Sequence, residues 1–346
     1  MSGKPRPRTS DAQRPPRSSR TTLTAQDNRP RTSKTQMGYV SSIPIDTKYL
    51  KKEFRMTVPR PRYAYFTLVM CGDEYVKGAL TLAWSLRQQN TKHELVVMVT
   101  SDVSVDALRL LRKVFNRVLI VGYIETKVKS TLRGKAYRDE NQWITYSLTK
   151  ARMLKYSEYD KVLWMDADSL VMHNIDHLFD LPAPAGICSS IKDHDYWHTK
   201  HISEDLVQSS IENNYGVHGC VMLLEPKLDH YFMASSQPVI GDRKTFMGPD
   251  EFFFTELYKS RWHHIHVRYG CTRWYMERLG AAPHVIHYGG DKPWEDGDRI
   301  QEWDGLWHWR AAADEMCRER PVFSVLFKRE RPKSTLSLLR LITDQS

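Results

Sequence analysis

Two carboxylates, Asp166 and Asp168, follow directly after an apolar stretch in the segment KVLWMDADSLV, residues 161–171. Side chains alternate along an extended chain, so both carboxylates are expected on one side, with the small Ala167 between them. Two hard oxygen ligands on one side suit Mn²⁺ or Mg²⁺, which also accept imidazole and substrate phosphate. An isolated Asp-x-Asp is also compatible with a turn or a helix cap, so the residues around it must indicate whether it binds a metal.

A third metal ligand is available in the segment PHVIHYGGDKPW, residues 283–294. A short strand is predicted to end at His287, and the glycines at 289 and 290 permit a close backbone approach to a ligand. Lys292 is able to neutralise a phosphate. An ordinary hydrogen-bonded histidine is the alternative for His287 alone, but its combination with Asp-x-Asp and Lys292 favours a metal and phosphate site.

The elements that must position these residues alternate between strands and helices. The predicted strands are Tyr63–Met70, Glu94–Thr100, Val118–Val121 and Val162–Met165, and the predicted helices are Glu74–Gln89, Val103–Phe115 and Thr145–Tyr156. Continuous apolar strands between amphipathic helices predict an α/β fold with a parallel sheet covered on both faces. Ligands of such sheets bind beyond the carboxyl ends of the strands, which is where Asp166 and Asp168 are expected.

The positive charge of the chain lies mainly in its first 57 residues. They contain 13 basic and 4 acidic residues, a net charge of +9, which leaves +1 of the total +10 for the other 289 residues. Residues 1–57 are predicted to be a disordered basic tail, with at most a weak contact to an anionic surface. The near-neutral body argues against nucleic-acid binding.

Location is predicted from two features. No stretch of 18 apolar residues and no apolar core of a secretory signal occurs, so neither a membrane span nor secretion is expected. The five cysteines are scattered and form no CxxC pair. Reduced thiols in a cytoplasmic protein fit this pattern better than a disulfide framework.

The region from Tyr63 to Trp309 resembles glycosyltransferase family 8, the glycogenin and galactinol synthase group. The resemblance rests on YAYFTLVMCGDEYVKGALTLAWSLRQQ (63–89), Thr149-Lys150 sixteen residues before Asp166, VLWMDADSLV, HGCVMLLEP (218–226), GPDEFFFTELY (248–258) and HYGGDKPW (287–294). The first segment is also similar to versions carried by large DNA viruses. The resemblance implies a GT-A type fold, a single Rossmann-like α/β domain with a mixed central sheet flanked by helices, over residues 58–312.

The resemblance also implies a UDP-sugar donor, glucose or galactose, with Mn²⁺ or alternatively Mg²⁺ on the diphosphate. Asp166, Asp168 and His287 would be the metal ligands, and Lys292 would hold the diphosphate. Tyr75 would lie near uracil. The complete implied donor site comprises Val69, Met70, Cys71, Tyr75, Lys150, Asp166, Ala167, Asp168, His218, Gly219, Asp250, Glu251, His287, Gly290 and Lys292.

The implied catalytic residues are Asp250 and Lys150, in a reaction that retains the anomeric configuration. Asp250 would be the nucleophile of a double displacement, or would orient the donor and stabilise positive charge during front-face attack. Taken alone, Asp250 also fits the first turn of a helix opened by Pro249, where acids are favoured. The sequence leaves both routes open.

The chain departs from the family pattern at His218, Cys220 and Glu251, where Asn, Gly and Gln are usual, and its last motif is one residue shorter. Two alternatives therefore stand beside hexose transfer: a nucleotide-sugar-binding pseudo-enzyme, and galactinol-synthase-like transfer to a polyol. A homodimer is a further expectation. Residues 313–346 are predicted to form a C-terminal extension with a short amphipathic basic helix.

Two further groups of residues have alternative interpretations. The spacing of His194, His198 and His201 permits a zinc site, although a polar loop is favoured. Four tryptophans near the C-terminal end of the resembling region are interpreted mainly as core, with sugar stacking as the alternative. They are Trp294, Trp303, Trp307 and Trp309.

Overall fold

The computed structural model describes residues 61–128, 142–213, 215–236, 239–240, 248–279, 282–295 and 303–327. The predicted basic tail over residues 1–57 lies outside these ranges, as does the C-terminal extension from residue 328 onward. Within the described residues, no helix combines the length and the apolar character needed to cross a membrane. All five cysteines carry free thiols.

Eleven strands are assigned in the described residues. They are β1 (Tyr63–Val69), β2 (Glu94–Val99), β3 (Arg117–Ile120), β4 (Lys127–Val128), β5 (Lys161–Met165), β6 (Ser169–Val171), β7 (Ala185–Cys188), β8 (Val217–Leu224), β9 (Val239–Ile240), β10 (His263–His264) and β11 (Val285–His287). The four strands predicted from apolar runs correspond to β1, β2, β3 and β5.

The described α-helices are α1 (Val76–Gln88), α2 (Val105–Leu111), α3 (Gln142–Tyr146), α4 (His194–Trp197), α5 (Glu204–Glu212), α6 (Leu228–Ser236), α7 (Pro249–Leu257), α8 (Arg273–Leu279) and α9 (Asp304–Glu319). Short 3₁₀ helices span Ser147–Lys155, Asp176–Asp180, Val267–Tyr269 and Pro321–Val325. Helix α9 runs across residue 312, the expected boundary of the domain.

Seven strands form the central sheet in the order β10-β7-β8-β5-β1-β2-β3. Strand β8 is antiparallel to both β5 and β7, and the other neighbouring pairs are parallel. The sheet is therefore mixed, and the α/β fold of GT-A type expected from the resemblance is confirmed. The purely parallel sheet predicted from the apolar runs is wrong, because β8 lies within the sheet and is antiparallel to both of its neighbours.

The sheet is buried on both faces. Along β2, Leu95, Val97 and Val99 pack in one apolar cluster, while Val96 and Met98 pack in the other. This alternation explains the unbroken apolar run of β2, because a strand covered by helices on both sides has no solvent face. A third cluster contains Trp294 and Trp309.

The predicted helix over Thr145–Tyr156 has a different form in the structure. Helix α3 ends at Tyr146, and Ser147–Lys155 continues as a 3₁₀ helix. With three residues per turn, side chains at i and i+3 eclipse one another. Ser147 and Lys150 therefore share one side of this segment, and both interact with Asp250.

Candidate active site

The register of two strand pairs brings the acidic residues together with a distant histidine. Strand β5 pairs with β8, and the ladder extends to Asp166, whose N–H donates to the carbonyl of Cys220 over 3.0 Å. Strand β6 pairs with β11 so that His287 lies opposite Ser169. Residues about 120 positions apart in the chain thus meet at the carboxyl end of β5.

Asp166, Asp168 and His287 form a compact set of potential metal ligands. His287 Nε2 lies 3.4 Å from Asp168 Oδ1 and 3.9 Å from Asp166 Oδ2. One ligand atom from each residue lies within 4.8 Å of the others, and among the described residues this is the one group of three or more such side chains. The expected proximity of the two carboxylates and the histidine is present.

Lys292 forms an ion pair with the buried carboxylate of Asp168. Its Nζ lies 2.6 Å from Asp168 Oδ2 and donates to the carbonyl of Tyr288 over 2.8 Å. Burial alone would raise the pKa of Asp168, but Lys292 and His287 lower it well below its usual range. Burial alone would lower the pKa of Lys292, yet Asp168 keeps it raised. Both groups are therefore charged near neutral pH.

Lys150 stands between two carboxylates. Its Nζ lies 2.5 Å from Asp250 Oδ2 and 3.2 Å from Asp166 Oδ1, and it donates to the carbonyl of Gly219 over 3.1 Å. Burial opposes the charge of Lys150, but Asp166 and Asp250 raise its pKa above its ordinary value. The pKa of Asp250 is lowered because Lys150 outweighs the effect of burial.

Asp250 occupies the first turn of α7, as the helix-cap interpretation also required, and it is 4% exposed. Gly219 packs against it so closely that an added Cβ would lie 2.9 Å from Asp250 Oδ2 and 3.0 Å from Lys150 Nζ. The N–H of Gly219 donates to Glu251 Oε1 over 2.9 Å. The structure therefore combines Lys150, Gly219, Asp250 and Glu251 into one polar group, in which Glu251 is partly exposed and the other three residues are buried.

The loop after β1 contains the residues expected near uracil. Val69 is buried at the end of β1, Met70 packs partly against the core, and Cys71 has a positive φ of 59°. The N–H of Cys71 donates to Tyr123 Oη over 2.9 Å, and Tyr123 donates to Asp102 over 2.8 Å.

Asp102 and Tyr123 were missed by sequence reasoning. Asp102 also accepts from the N–H of Gly72 over 2.9 Å, so it holds the same loop. Each residue lies just beyond the carboxyl end of its strand, Asp102 after β2 and Tyr123 after β3. The rule that selected Asp166 would have identified them.

Tyr75 and Ala167 lie at the back of the site. The Tyr75 ring meets Trp294 edge-on with centroids 5.4 Å apart, and Lys292 Nζ lies 5.7 Å from its centroid. Ala167 is buried, and a Cβ added to Gly78 of α1 would lie 2.6 Å from its carbonyl oxygen. Helix α1 therefore packs directly on the backbone between the two aspartates.

The remaining predicted residues, His218 and Gly290, lie at the edges of the site. His218 Nδ1 is 3.9 Å from Glu251 Oε1. Burial and nearby histidines lower the pKa of His218 to about 4, so the ring is neutral at pH 7. Gly290 has a φ of 111°, which suits glycine, and space for a ligand is open beside its Cα.

The alternative zinc site is wrong for the described residues. His194 shares a 2.9 Å hydrogen bond with His264, His198 accepts from the N–H of His266, and the exposed His201 bonds to the carbonyl of Ser260. The three histidines thus have separate partners. Of the four tryptophans, Trp294 and Trp309 are buried core residues, whereas Trp307 is 63% exposed.

The donor set fits a hard divalent cation. Two carboxylates and one imidazole converge, and the Nε2 atom of His287 faces both carboxylates. Oxygen-rich sites with one histidine suit Mn²⁺ and Mg²⁺ better than a soft metal. The lysines on either side add positive charge for an anionic ligand.

Comparison with known proteins places the chain among sugar-transferring enzymes. Residues 67–298 match the sequence profile of Glycosyl transferase family 8. Uncharacterized protein R707 of Acanthamoeba polyphaga mimivirus is 28% identical over 243 residues, which is 67% of this chain and 82% of that protein. UDP-glucuronate:xylan alpha-glucuronosyltransferase 2 of Arabidopsis thaliana is 26% identical over 268 residues, which is 72% of this chain and 39% of that protein. Glycogenin-1 of Homo sapiens is 37% identical over 115 residues, which is 33% of this chain and 32% of that protein.

The structure of galactosyltransferase LgtC, in complex with donor and acceptor sugar analogs, has a TM-score of 0.50 at 14% identity, covering 73% of this chain and 95% of that one. This likeness concerns the fold. The fold and the acidic cluster define a GT-A glycosyltransferase. The chain belongs to glycosyl transferase family 8, and the expected relationship to glycogenin and to a viral protein is confirmed. The match spans well under half of the plant and human relatives.

Proposed function

We propose that this protein is a retaining, Mn²⁺-dependent hexosyltransferase that takes glucose or galactose from a UDP-sugar. The observation that carries the proposal is the cluster of Asp166, Asp168 and His287 within 4.8 Å, with Lys150 and Lys292 beside it. A bound divalent ion would supply positive charge to the diphosphate as the glycosidic bond breaks.

Lys292 is suited to the departing diphosphate. It is protonated, largely buried, and held beside the metal ligands by Asp168 and the carbonyl of Tyr288. A cation positioned before the reaction requires little reorganisation when negative charge develops on the leaving group. Lys292 would therefore add to the stabilisation of this charge that a metal held by Asp166, Asp168 and His287 would supply.

Asp250 is suited to the transferring sugar. Its ionised carboxylate is fixed by Lys150 and by its place at the start of α7. A carboxylate oxygen paired with a lysine at 2.5 Å is a weakened nucleophile, so we propose front-face transfer in which Asp250 orients the donor and balances positive charge on the sugar.

A neutral hexose suits the described site better than a uronic acid. The plant relative is named for UDP-glucuronate, whose extra carboxylate needs a cation or strong donors. In the described site both lysines already face carboxylates, Lys150 with Asp166 and Asp250, and Lys292 with Asp168. This favours glucose or galactose.

The acceptor is proposed only by class, as a sugar or a polyol. Galactinol-synthase-like transfer and a pseudo-enzyme that binds the donor without turnover are both outcomes that the experiment below separates. A cytoplasmic location fits the free thiols. The predicted homodimer and the contact of the tail with an anionic surface stay predictions.

The test is a panel of UDP-glucose, UDP-galactose and UDP-glucuronate with Mn²⁺, scored for UDP release with and without sugar and polyol acceptors. We expect release from a neutral donor, and a loss of about 100-fold or more in Asp250→Asn. Asp106→Asn, an exposed aspartate on α2, is the matched control and should retain full activity. UDP binding without release from any donor would indicate the pseudo-enzyme.

A further inference from the structure

Glu251 joins two separate elements through its two carboxylate oxygens. Oε1 accepts from the N–H of Gly219 on β8 over 2.9 Å, and Oε2 accepts from the N–H of Gly248 at the start of α7 over 3.2 Å. An ionised carboxylate offers two acceptor oxygens, whereas an amide offers one oxygen and a donor nitrogen. Only the ionised carboxylate can therefore present a separate acceptor oxygen to each of the two N–H groups.

The connection continues from Gly219 to the ion pair of the site. The carbonyl of Gly219 accepts from Lys150 Nζ over 3.1 Å, and Lys150 binds Asp250. A Cβ added to Gly219 would lie within 3.0 Å of all three side chains, those of Lys150, Asp250 and Glu251. With so little free space, a shift of Gly219 would disturb the Lys150–Asp250 pair.

The groups around Glu251 bring the pKa of its carboxyl close to neutral pH, so both protonation states are populated there. Burial and the neighbouring carboxylate of Asp250 raise the pKa of Glu251 to about 7, against the favourable effects of the Gly219 N–H and of Lys150. The His218 ring at 3.9 Å is neutral at this pH and adds no positive charge. Lys150 is shared with Asp166 and Asp250.

We propose that Glu251 is a positioning residue: its ionised carboxylate holds the Lys150–Asp250 pair through Gly219, and its protonation loosens this hold so that turnover falls in mildly acidic solution. The proposal rests on the proposed function for its activity readout, but the titration itself can be observed without a donor. A protonated carboxyl resembles the amide of Gln, since one oxygen then carries hydrogen.

The donor-free test is carboxyl ¹³C NMR of the full-length protein labelled at glutamate side chains. The resonance that disappears in Glu251→Gln belongs to Glu251, and its midpoint is expected near pH 7. A midpoint near that of an ordinary glutamate would overturn the proposal. If the wild type releases no UDP at any pH, the proposed function fails, while a midpoint near 7 still supports the proton-dependent hold.

The donor-dependent test is UDP release from UDP-glucose with Mn²⁺ between pH 6 and 8.5. Wild-type turnover should rise by about tenfold through the same midpoint, whereas Glu251→Gln should stay at the low-pH value throughout. Glu256→Gln, the same substitution on the same helix, should keep the wild-type profile. A Glu251→Gln variant with the wild-type pH step, or with wild-type turnover at pH 8, would contradict the proposal.

A third variant separates charge from contact. Glu251→Asp keeps the carboxylate but is one methylene too short to reach both N–H groups, so reduced turnover at pH 8 is expected. Thermal unfolding of each variant confirms that it is folded before turnover is compared. Full turnover of a folded Glu251→Asp would show that the two contacts are unnecessary and would overturn the proposal.

Discussion

At the scale of residues, the site pairs each of three aspartates with a lysine. Lys150 contacts Asp166 and Asp250, and Lys292 contacts Asp168. Breaking such a buried pair leaves an uncompensated charge, which costs far more than a surface ion pair contributes. The lysines therefore keep Asp168 and Asp250 ionised by lowering the pKa of each carboxyl, and they supply positive charge where the diphosphate is proposed to lie.

Lys292→Gln tests this arrangement. The substitution removes the cation nearest Asp168, so the pKa of Asp168 should rise and UDP affinity should fall by about 10- to 100-fold, the usual effect of losing a hydrogen bond to a charged group. Titration calorimetry with UDP and Mn²⁺ measures the change. Lys92→Gln, an exposed lysine, should bind as the wild type does, and unchanged affinity in Lys292→Gln would contradict the assignment.

At the scale of elements, the sequence predicts where strands lie better than it predicts which strands pair with each other. The apolar runs gave β1, β2, β3 and β5 to within two residues at each end, because a strand buried on both faces has a distinctive composition. The contact between Asp168 and His287 depends on the pairing of β6 with β11, two strands of three residues each. Such a pairing leaves no periodic pattern, so the residue types and the resemblance of the motifs indicated that His287 belongs to the site, but not which strands bring it there.

The polar contacts of the buried site could not be predicted from the sequence. Lys150 was expected in a helix, and its 3₁₀ conformation, which turns it together with Ser147 toward Asp250, is not visible in the residue pattern. The link from Glu251 to Gly219 joins residues 32 positions apart. It depends on how closely α7 packs on β8, a tertiary property.

The packing of α1 on the acidic segment is open to a direct test. Gly78→Ala would place a Cβ 2.6 Å from the carbonyl oxygen of Ala167 and from Trp294, so α1 must shift. We expect a loss of about 1–3 kcal/mol in the free energy of unfolding and weaker UDP binding. Gly122→Ala, where the nearest atom would lie 3.6 Å away, is the control. Equal stability of the two variants would contradict close packing at Gly78.

Two buried histidines, His264 on the edge strand β10 and His194 on helix α4, lead us to expect that the folded protein loses stability in acid. His264 accepts from the N–H of Cys188 and shares a hydrogen bond with His194, and burial together with neighbouring histidines lowers its pKa to about 3. Its pKa in the unfolded chain is higher, so the unfolded state binds a proton first. Stability from this group is complete above about pH 6.5 and declines as the pH falls.

The melting temperature at pH 7.5 and pH 5 measures this effect. The wild type should lose more stability between the two pH values than His264→Gln, which keeps polar contacts but does not titrate. The exposed His308 provides the control, because His308→Gln should follow the wild type. An identical pH dependence in His264→Gln and the wild type would show that His264 is not among the groups responsible.

At the scale of the whole molecule, charge is distributed to favour a local anion site. The 289 residues after the basic tail carry a net charge of only +1. The family match and the described sheet both lie in this near-neutral part. If the proposed function is correct, attraction for a nucleotide diphosphate would come mainly from the two lysines and a metal at the acidic cluster, since the net charge of this part of the chain is too small to supply a general positive field.

The central claim is tested most directly by titration calorimetry of UDP into the full-length protein with and without Mn²⁺. Binding that requires Mn²⁺, and that is lost in Asp168→Asn but kept in the exposed-site control Asp106→Asn, is the expected result. UDP binding that is equally strong without Mn²⁺ or in Asp168→Asn, or no binding in either condition, would contradict the assignment of Asp166, Asp168 and His287 as the metal site of a nucleotide-sugar enzyme.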